Sequence, residues 1–581
     1  MKIKHLFGLA VIAAMTASCS SNEDLGTAGQ STGTNESGAS YASITIDLPT
    51  TRGTRAAVDN FDGGTASEYA VNDATLVIFE KGTETSENKY KFVEAVPLGN
   101  LEPWKNVTPA NNGITTEATV TAELNSAKVD ETGGKYYALV ILNNETATGT
   151  KIKLPSASTD TYESWNVAAN STNITDYEKG FYMANAPQFT AENVEPTTLV
   201  KIEGIYRTKE EAQSKPATTI HVERGLAKVT VGSYGTSNYF ATTGANATGA
   251  NYSSDNVKIT KWALDVTNKT SFPVHVTDGL STAYTNVWKN ELNKSDRFVS
   301  AASSFKRVYW GVDPNYSNTD LNDPTKETER NTNFTYIKKG DISSNATDVA
   351  YCLENTFNLD NMKQGQTTRV VFKATYTPNG FTAADGSTFF KIGNHTELWS
   401  KTNLVAQIKA KAQEVLSETD ADKITVVLDA ESNDVEKTAG TKILTKANVK
   451  HNGAEVLDDQ INKINEKLGL KDATSTDPII VGITTYVNGE SYYIARIKHF
   501  GDDLTPWNPG DTYGTDNEKY LGRYGVLRNN WYELKVNSIS GPGYPDVPEV
   551  KPNTPDDENT KYISVSVRIL DWAKRSDKID L

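Results

Sequence analysis

Apolar and polar residues alternate in short runs along most of this chain. In ASITIDL, Ala42, Ile44, Ile46 and Leu48 fall on one face and Ser43, Thr45 and Asp47 on the other. That period of two predicts a half-buried strand, ended by Pro49. Near the other terminus the same spacing sets Ile563, Val565, Val567 and Ile569 against Ser564, Ser566 and Arg568. Between them, β-rich runs bounded by turn residues recur at 72–82, 135–144, 198–207, 222–235, 257–274 and 365–376. Two stretches repeat at helical spacing instead, 403–418 and 454–470, the latter with Leu457, Ile461, Ile464 and Leu468 on one face. They read as packing elements. A shift near residue 215, with several strands on each side, predicts a mainly β chain of two β-sandwich domains in series, 56–215 and 216–540. The few helices belong to the second.

The ends differ from this pattern. Lys2 and Lys4 precede the apolar run LFGLAVIAAM, which is too short to span a bilayer as a helix. TASC then sets small residues directly before Cys19. Residues 1–18 therefore read as a lipoprotein signal peptide, and Cys19 as the lipidated first residue of an exported bacterial protein. Its several acyl chains pass the threshold for stable anchoring. Residues 20–40 hold Leu25 as their one large apolar side chain, so they form a flexible tether. Residues 19–55 thus comprise tether, strand and a loop, TTRGTR, that exposes Arg52 and Arg55. At the far end, 541–560 carries five prolines and five acidic residues. An extended arm of that length reaches ~60 Å at about 3.1 Å per residue, so 541–581 reads as an arm bearing a strand.

Composition narrows the function. A net charge of −15 argues against nucleic acid as partner. The only other cysteine is Cys352, so cores and not disulfides hold the fold. The recognised hydrolase, metalloprotease, phosphate-loop and dinucleotide motifs are missing. His221, His275, His395, His451 and His499 are scattered without ligand spacing, and Cys352 has no histidine near it in sequence. GDDLTPWNPGD (501–511) is rich in oxygen ligands but lacks the EF-hand spacing. No catalytic residue, metal site or cofactor is assigned. Trp104, Trp165, Trp288 and Trp399 lie in polar surroundings. Exposed, they would suit a monomeric, membrane-anchored glycan-binding lipoprotein; buried against sheets, they would read the same.

The two terminal strands carry more weight. A sandwich lacking a strand exposes unpaired N–H and C=O groups beside an apolar groove. The strand over 42–48 would plug such a groove in the precursor. Cleavage after Arg52 or Arg55 would release it, and the arm of another copy would enter by strand addition. Head-to-tail donation of this kind builds open filaments. Four buried aliphatic side chains contribute roughly 6–12 kcal/mol to it, at about 1.5–3 each. Equally, the loop is a plain linker and the C-terminal strand pairs within its own domain; the pattern alone admits both.

Several blocks point to a family. The lipobox followed by SSNED, the T-R-A-A site, VERGLAKVTV, ITKWALDVTN, AYCLENTF, YYIARIKHF and YGVLRNNWYELKVNSISGPGYP together resemble the major fimbrillins of type V pili. The likeness is closest to the major subunit of short (minor) fimbriae, which this chain's ending, ISVSVRILDWAKRSD, also resembles. It implies a non-enzymatic pilin with two transthyretin-like domains, exported as an outer-membrane lipoprotein through Cys19. It further implies cutting at Arg55–Ala56 by an arginine-specific protease and polymerisation through a donor strand over 562–570. Partners implied are the chain itself, accessory tip and anchor subunits, and a role in adhesion and biofilm formation. Arg52 leaves the cleavage position open.

Overall fold

The computed structural model describes residues 38–48, 65–99, 101, 104, 116–189, 195–233, 236–280, 308, 310–316, 321–381, 387–470, 481–500, 505, 520–556 and 563–571. The chain is mainly β. Its first sheet contains β1 (Ser40–Asp47), β2 (Ala74–Glu80), β3 (Lys91–Pro97), β4 (Glu117–Leu124), β5 (Tyr136–Leu142), β6 (Met183–Asn185), β7 (Val200–Lys201) and β8 (Thr218–Arg224). The strand order is β3-β2-β5-β6-β8-β1-β4, with β7 beside β5. Its middle strands, ATLVIFE and YYALVIL, are continuous apolar runs. Residues 76–79 and 138–142 are all buried, as continuous runs are when both faces of a strand are covered. Two short helices matter below: α1 (Ala66–Tyr69) and α2 (Lys209–Ser214), the latter lying against β1.

The run 222–235, expected as one strand, is two. The chain breaks at Gly225 and Leu226 and crosses from β8 to β9 (Ala227–Ser233), which belongs to another sheet. A Cβ on Gly225 would stand 2.9 Å from the Tyr182 ring, so the crossing backbone needs a residue without one. The run 198–207 likewise shrinks to the two residues of β7.

The remaining labelled strands are β10 (Ala245–Asn246), β11 (Asn256–Asp265), β12 (Ala350–Cys352), β13 (Arg369–Thr377), β14 (Glu490–Arg496), β15 (Asn530–Ile539) and β16 (Ile563–Asp571). They complete two four-stranded sheets, β10-β11-β13-β14 and β12-β9-β15-β16. The sheets share one core, in which Val231 and Leu534 from the second meet Trp262 and Phe372 from the first. β11 stops short of residue 274 because Val266 adopts φ +56, a backbone state unfavourable for a β-branched residue. The turn is held by a buried ion pair, Arg369 to Asp265 at 2.8 Å.

Residues 389–486 lie between β13 and β14 and build a core of their own from short strands and two helices, α3 (Lys401–Leu416) and α4 (Asp458–Lys467). Ser400 caps α3 by accepting from the Asn403 N–H at 3.3 Å. α4 is shorter than its apolar spacing suggests. Asp458 and Asp459 open it, where the helix dipole favours acidic residues. Leu457 therefore precedes the first turn and is 64% exposed, while Ile461, Ile464 and Leu468 are buried.

Candidate functional site

The strand at the amino end is an interior strand. β1 pairs antiparallel with β4, Ile44 opposite Val120 and Asp47 opposite Glu117, and parallel with β8, Thr45 opposite Thr219 and Asp47 opposite His221. Ala42, Ile44, Ile46 and Leu48 are all within 1% of full burial and belong to the first core. The polar face is covered too: Ser43 and Thr45 are buried, with α2 against the strand. This is more burial than alternation predicts, because a half-buried strand has one dry face and β1 has nearly two. Each end is tied down. Tyr41 and Tyr206 exchange both backbone hydrogen bonds at 2.8 Å, and Leu48 N–H donates to Thr116 O at 3.0 Å. Thr45 and Thr119 hydroxyls meet at 2.8 Å. Asp47 Oδ2 lies 3.1 Å from His221 Nδ1.

Cys19, Arg52, Arg55 and Ala56 lie outside the described residues. Helix α1 is anchored by its own side chains and backbone. The Glu68 carboxylate accepts from Lys228 Nζ at 2.8 Å and from the Tyr351 hydroxyl at 2.5 Å, and Arg224 Nε donates to the Glu68 carbonyl at 2.7 Å. Glu68 and Lys228 side chains are 1% and 5% exposed. Burial pushes the Glu68 carboxyl up, but hydrogen bonds from Lys228 and Tyr351, with the charge of Lys228, hold it below the usual carboxylate range. Lys228 also sits 3.9 Å above the Trp531 ring.

This cluster gathers blocks that are far apart in sequence. VERGLAKVTV supplies Arg224 and Lys228, and AYCLENTF supplies Tyr351 and Glu354. LRNNWYEL supplies Arg528, paired with buried Glu354, and Asn529, which accepts from the Arg224 N–H at 3.2 Å and donates its own N–H to Leu226 O at 2.8 Å. Asn529 holds φ +59, a conformation that asparagine tolerates better than most residues. IKHF supplies His499, whose Nδ1 lies 2.7 Å from the Tyr532 hydroxyl. The blocks thus meet where the chain passes from the first sheet to the others. Separate strings cannot announce such a convergence.

At the carboxyl end, β16 occupies the outer edge of its sheet among the described residues. It pairs antiparallel with β15 over Asn530–Asp571 to Ile539–Ile563, with Val567 opposite Leu534 and Arg568 opposite Glu533. Val565 packs partly buried on the second core. The described part of the Pro-rich segment, 541–556, lies against its own chain. Tyr544 and Tyr492 exchange backbone hydrogen bonds at 2.8 Å. Arg369 Nη2 donates to Pro548 O at 2.9 Å, and the Thr367 hydroxyl bonds the Asp556 carboxyl at 2.6 Å. Composition predicts an extended arm; this part of it is instead tied to the domain by backbone and side-chain hydrogen bonds.

Other candidate chemistry disperses. His275 is buried on Glu223 at 2.9 Å and His451 meets Glu418 at 3.0 Å. Among the described residues no three metal-ligating side chains converge, and 501–511 lies outside them apart from Thr505. Cys352 is buried and its thiol is pushed up to about 12 by desolvation, which leaves it protonated. Trp104 donates to Tyr69 O at 2.8 Å and Trp165 to Lys153 O at 2.7 Å, both buried, so neither offers a face to a sugar. Trp399 is partly buried on the satellite core, and Trp288 lies outside the described residues.

Comparison with known proteins places the C-terminal region. Residues 484–578 match the family described as major fimbrial subunit protein type IV, fimbrillin, C-terminal. No curated protein matches the chain. Among solved structures, a candidate cell adhesion protein of Parabacteroides distasonis is 10% identical at a TM-score of 0.34, over 92% of this chain and 98% of that one. The tip fimbrial protein Mfa3 of Porphyromonas gingivalis, truncated at its C-terminus, is 9% identical at 0.26, over 92% and 100%. At these scores the likeness decides nothing about function.

Proposed function

We propose that this chain, a fimbrillin by its C-terminal region, is a shaft subunit that polymerises by strand exchange, with β1 as the part removed. One observation carries the reading: among the described residues β1 is bonded on both edges, while β16, of the same apolar pattern, is bonded on one. Cutting after Arg55, or after Arg52, frees the segment that carries β1. Its departure leaves β4 and β8 with facing unpaired edges over an apolar floor. A donor strand moving from the outer edge of its own sheet into that gap gains a second ladder, each added hydrogen bond contributing about 0.5–1.5 kcal/mol net.

The other steps belong to the same reading. Acylated Cys19 holds the precursor at the outer membrane, and an arginine-specific protease releases the subunit from its tether. Accessory tip and anchor subunits terminate the polymer, which presents an adhesive surface in biofilm contacts. The glycan-binding alternative loses its support at Trp104 and Trp165. Replacing Arg52 and Arg55 together with alanine tests the cleavage step. Lipidated monomer is expected, without the denaturant-resistant ladders of the cleaved wild type. Ladders of wild-type length from the double variant would remove cleavage from the mechanism.

A further inference from the structure

We infer that the strand which replaces β1 enters in a single register, in which Arg568 of the incoming copy takes the place of Asp47 and faces Glu117. This rests on the shaft-subunit reading and names the contact that specifies its occupant.

Residues 41–48, YASITIDL, and 562–569, YISVSVRI, correspond position by position. Tyr41 answers to Tyr562, Ser43 to Ser564 and Thr45 to Ser566. The buried set Ala42, Ile44, Ile46 and Leu48 answers to Ile563, Val565, Val567 and Ile569. One position changes class: Asp47 becomes Arg568.

Other registers fail on burial. A slip of one residue turns the apolar face outward. A slip of two in one direction brings Asp571 to the place of Leu48, and in the other brings Lys561 to the place of Ala42. Those places are 1% and 0% exposed, and an unpaired charge there is costly.

The surviving register reverses a charge pattern. Asp47 stands opposite exposed Glu117 on β4, and like charges directly opposite are destabilising. Its polar partner is His221 on β8, 3.1 Å away. With Arg568 in that position the pair with Glu117 becomes attractive, and the contact to His221 is given up. In the structure Arg568 already stands opposite a glutamate, Glu533 of β15.

Cleaved full-length chain tests this. Glu117→Cys and Arg568→Cys preparations, mixed and oxidised, are expected to yield intermolecular disulfides; Thr119→Cys with Arg568→Cys is expected not to. Glu117→Arg or Arg568→Glu alone should slow ladder formation about fivefold, since attraction gives way to repulsion. The two reversals in one chain should restore it. Crosslinking through Thr119, or single reversals that assemble at the wild-type rate, would overturn the register while leaving the shaft reading standing. Absence of ladders from cleaved wild type would overturn both.

Discussion

At the scale of single residues, the most consequential feature is the buried carboxylate of Glu68. It lies thirteen positions after Arg55 and is held by Lys228 and Tyr351 on strands of the other sheet. Removing one partner strands a buried charge, at a cost of about 3–5 kcal/mol. Lys228→Met should therefore lower the stability of the folded chain by that order in urea titrations at neutral pH, without touching β1 or β16. The pH dependence has a definite sign. The Glu68 carboxyl lies below its ordinary value of 4.5 in the folded chain. Its contribution is then fully present above that value and is lost as pH falls through the lower, folded-state value. Glu68→Gln should flatten the acid limb of stability against pH; an unchanged limb would show that the cluster does not stabilise the fold.

At the scale of elements, β1 and β16 have the same pattern but different surroundings. Alternation identified both as strands and named the residues of each apolar face. It did not distinguish a strand bonded on two edges from one bonded on a single edge, because hydrogen-bond partners lie far away in sequence. The distinction has a measurable consequence. An edge strand with one ladder peels at less cost than an interior one, so Val567→Asp should leave a folded monomer with a small drop in melting temperature and abolish ladders. Global unfolding of that variant would instead make β16 an obligate part of its own domain. Helix α4 teaches the same lesson, since its apolar spacing continues through Leu457 while the helix begins after it.

At the scale of the whole molecule, the proposed removal of β1 would act on one core and spare the other. Ala42, Ile44, Ile46 and Leu48 belong to the core of the first sheet, whereas β9, β11, β13, β14 and β15 close over a separate one. Cleavage without assembly should therefore raise amide exchange in β4 and β8 and leave β11, β13 and β14 protected. Uniform loss of protection would mean the two cores unfold as one. The cluster around Glu68 lies between these regions and ties α1 to strands of the second core.

The sequence by itself determined the β class, the two terminal strands and their apolar faces, and the lack of recognised catalytic motifs, since these follow from local periodicity and residue chemistry. Even the correspondence of YASITIDL with YISVSVRI is present in the string. Only the tertiary structure decided that β1 is interior, that β16 is an edge, that the proline-rich segment is docked and that the scattered blocks meet around Glu68 and Arg528. Those outcomes depend on which backbone edge finds a partner and which charge finds burial, and both are settled by residues tens to hundreds of positions apart.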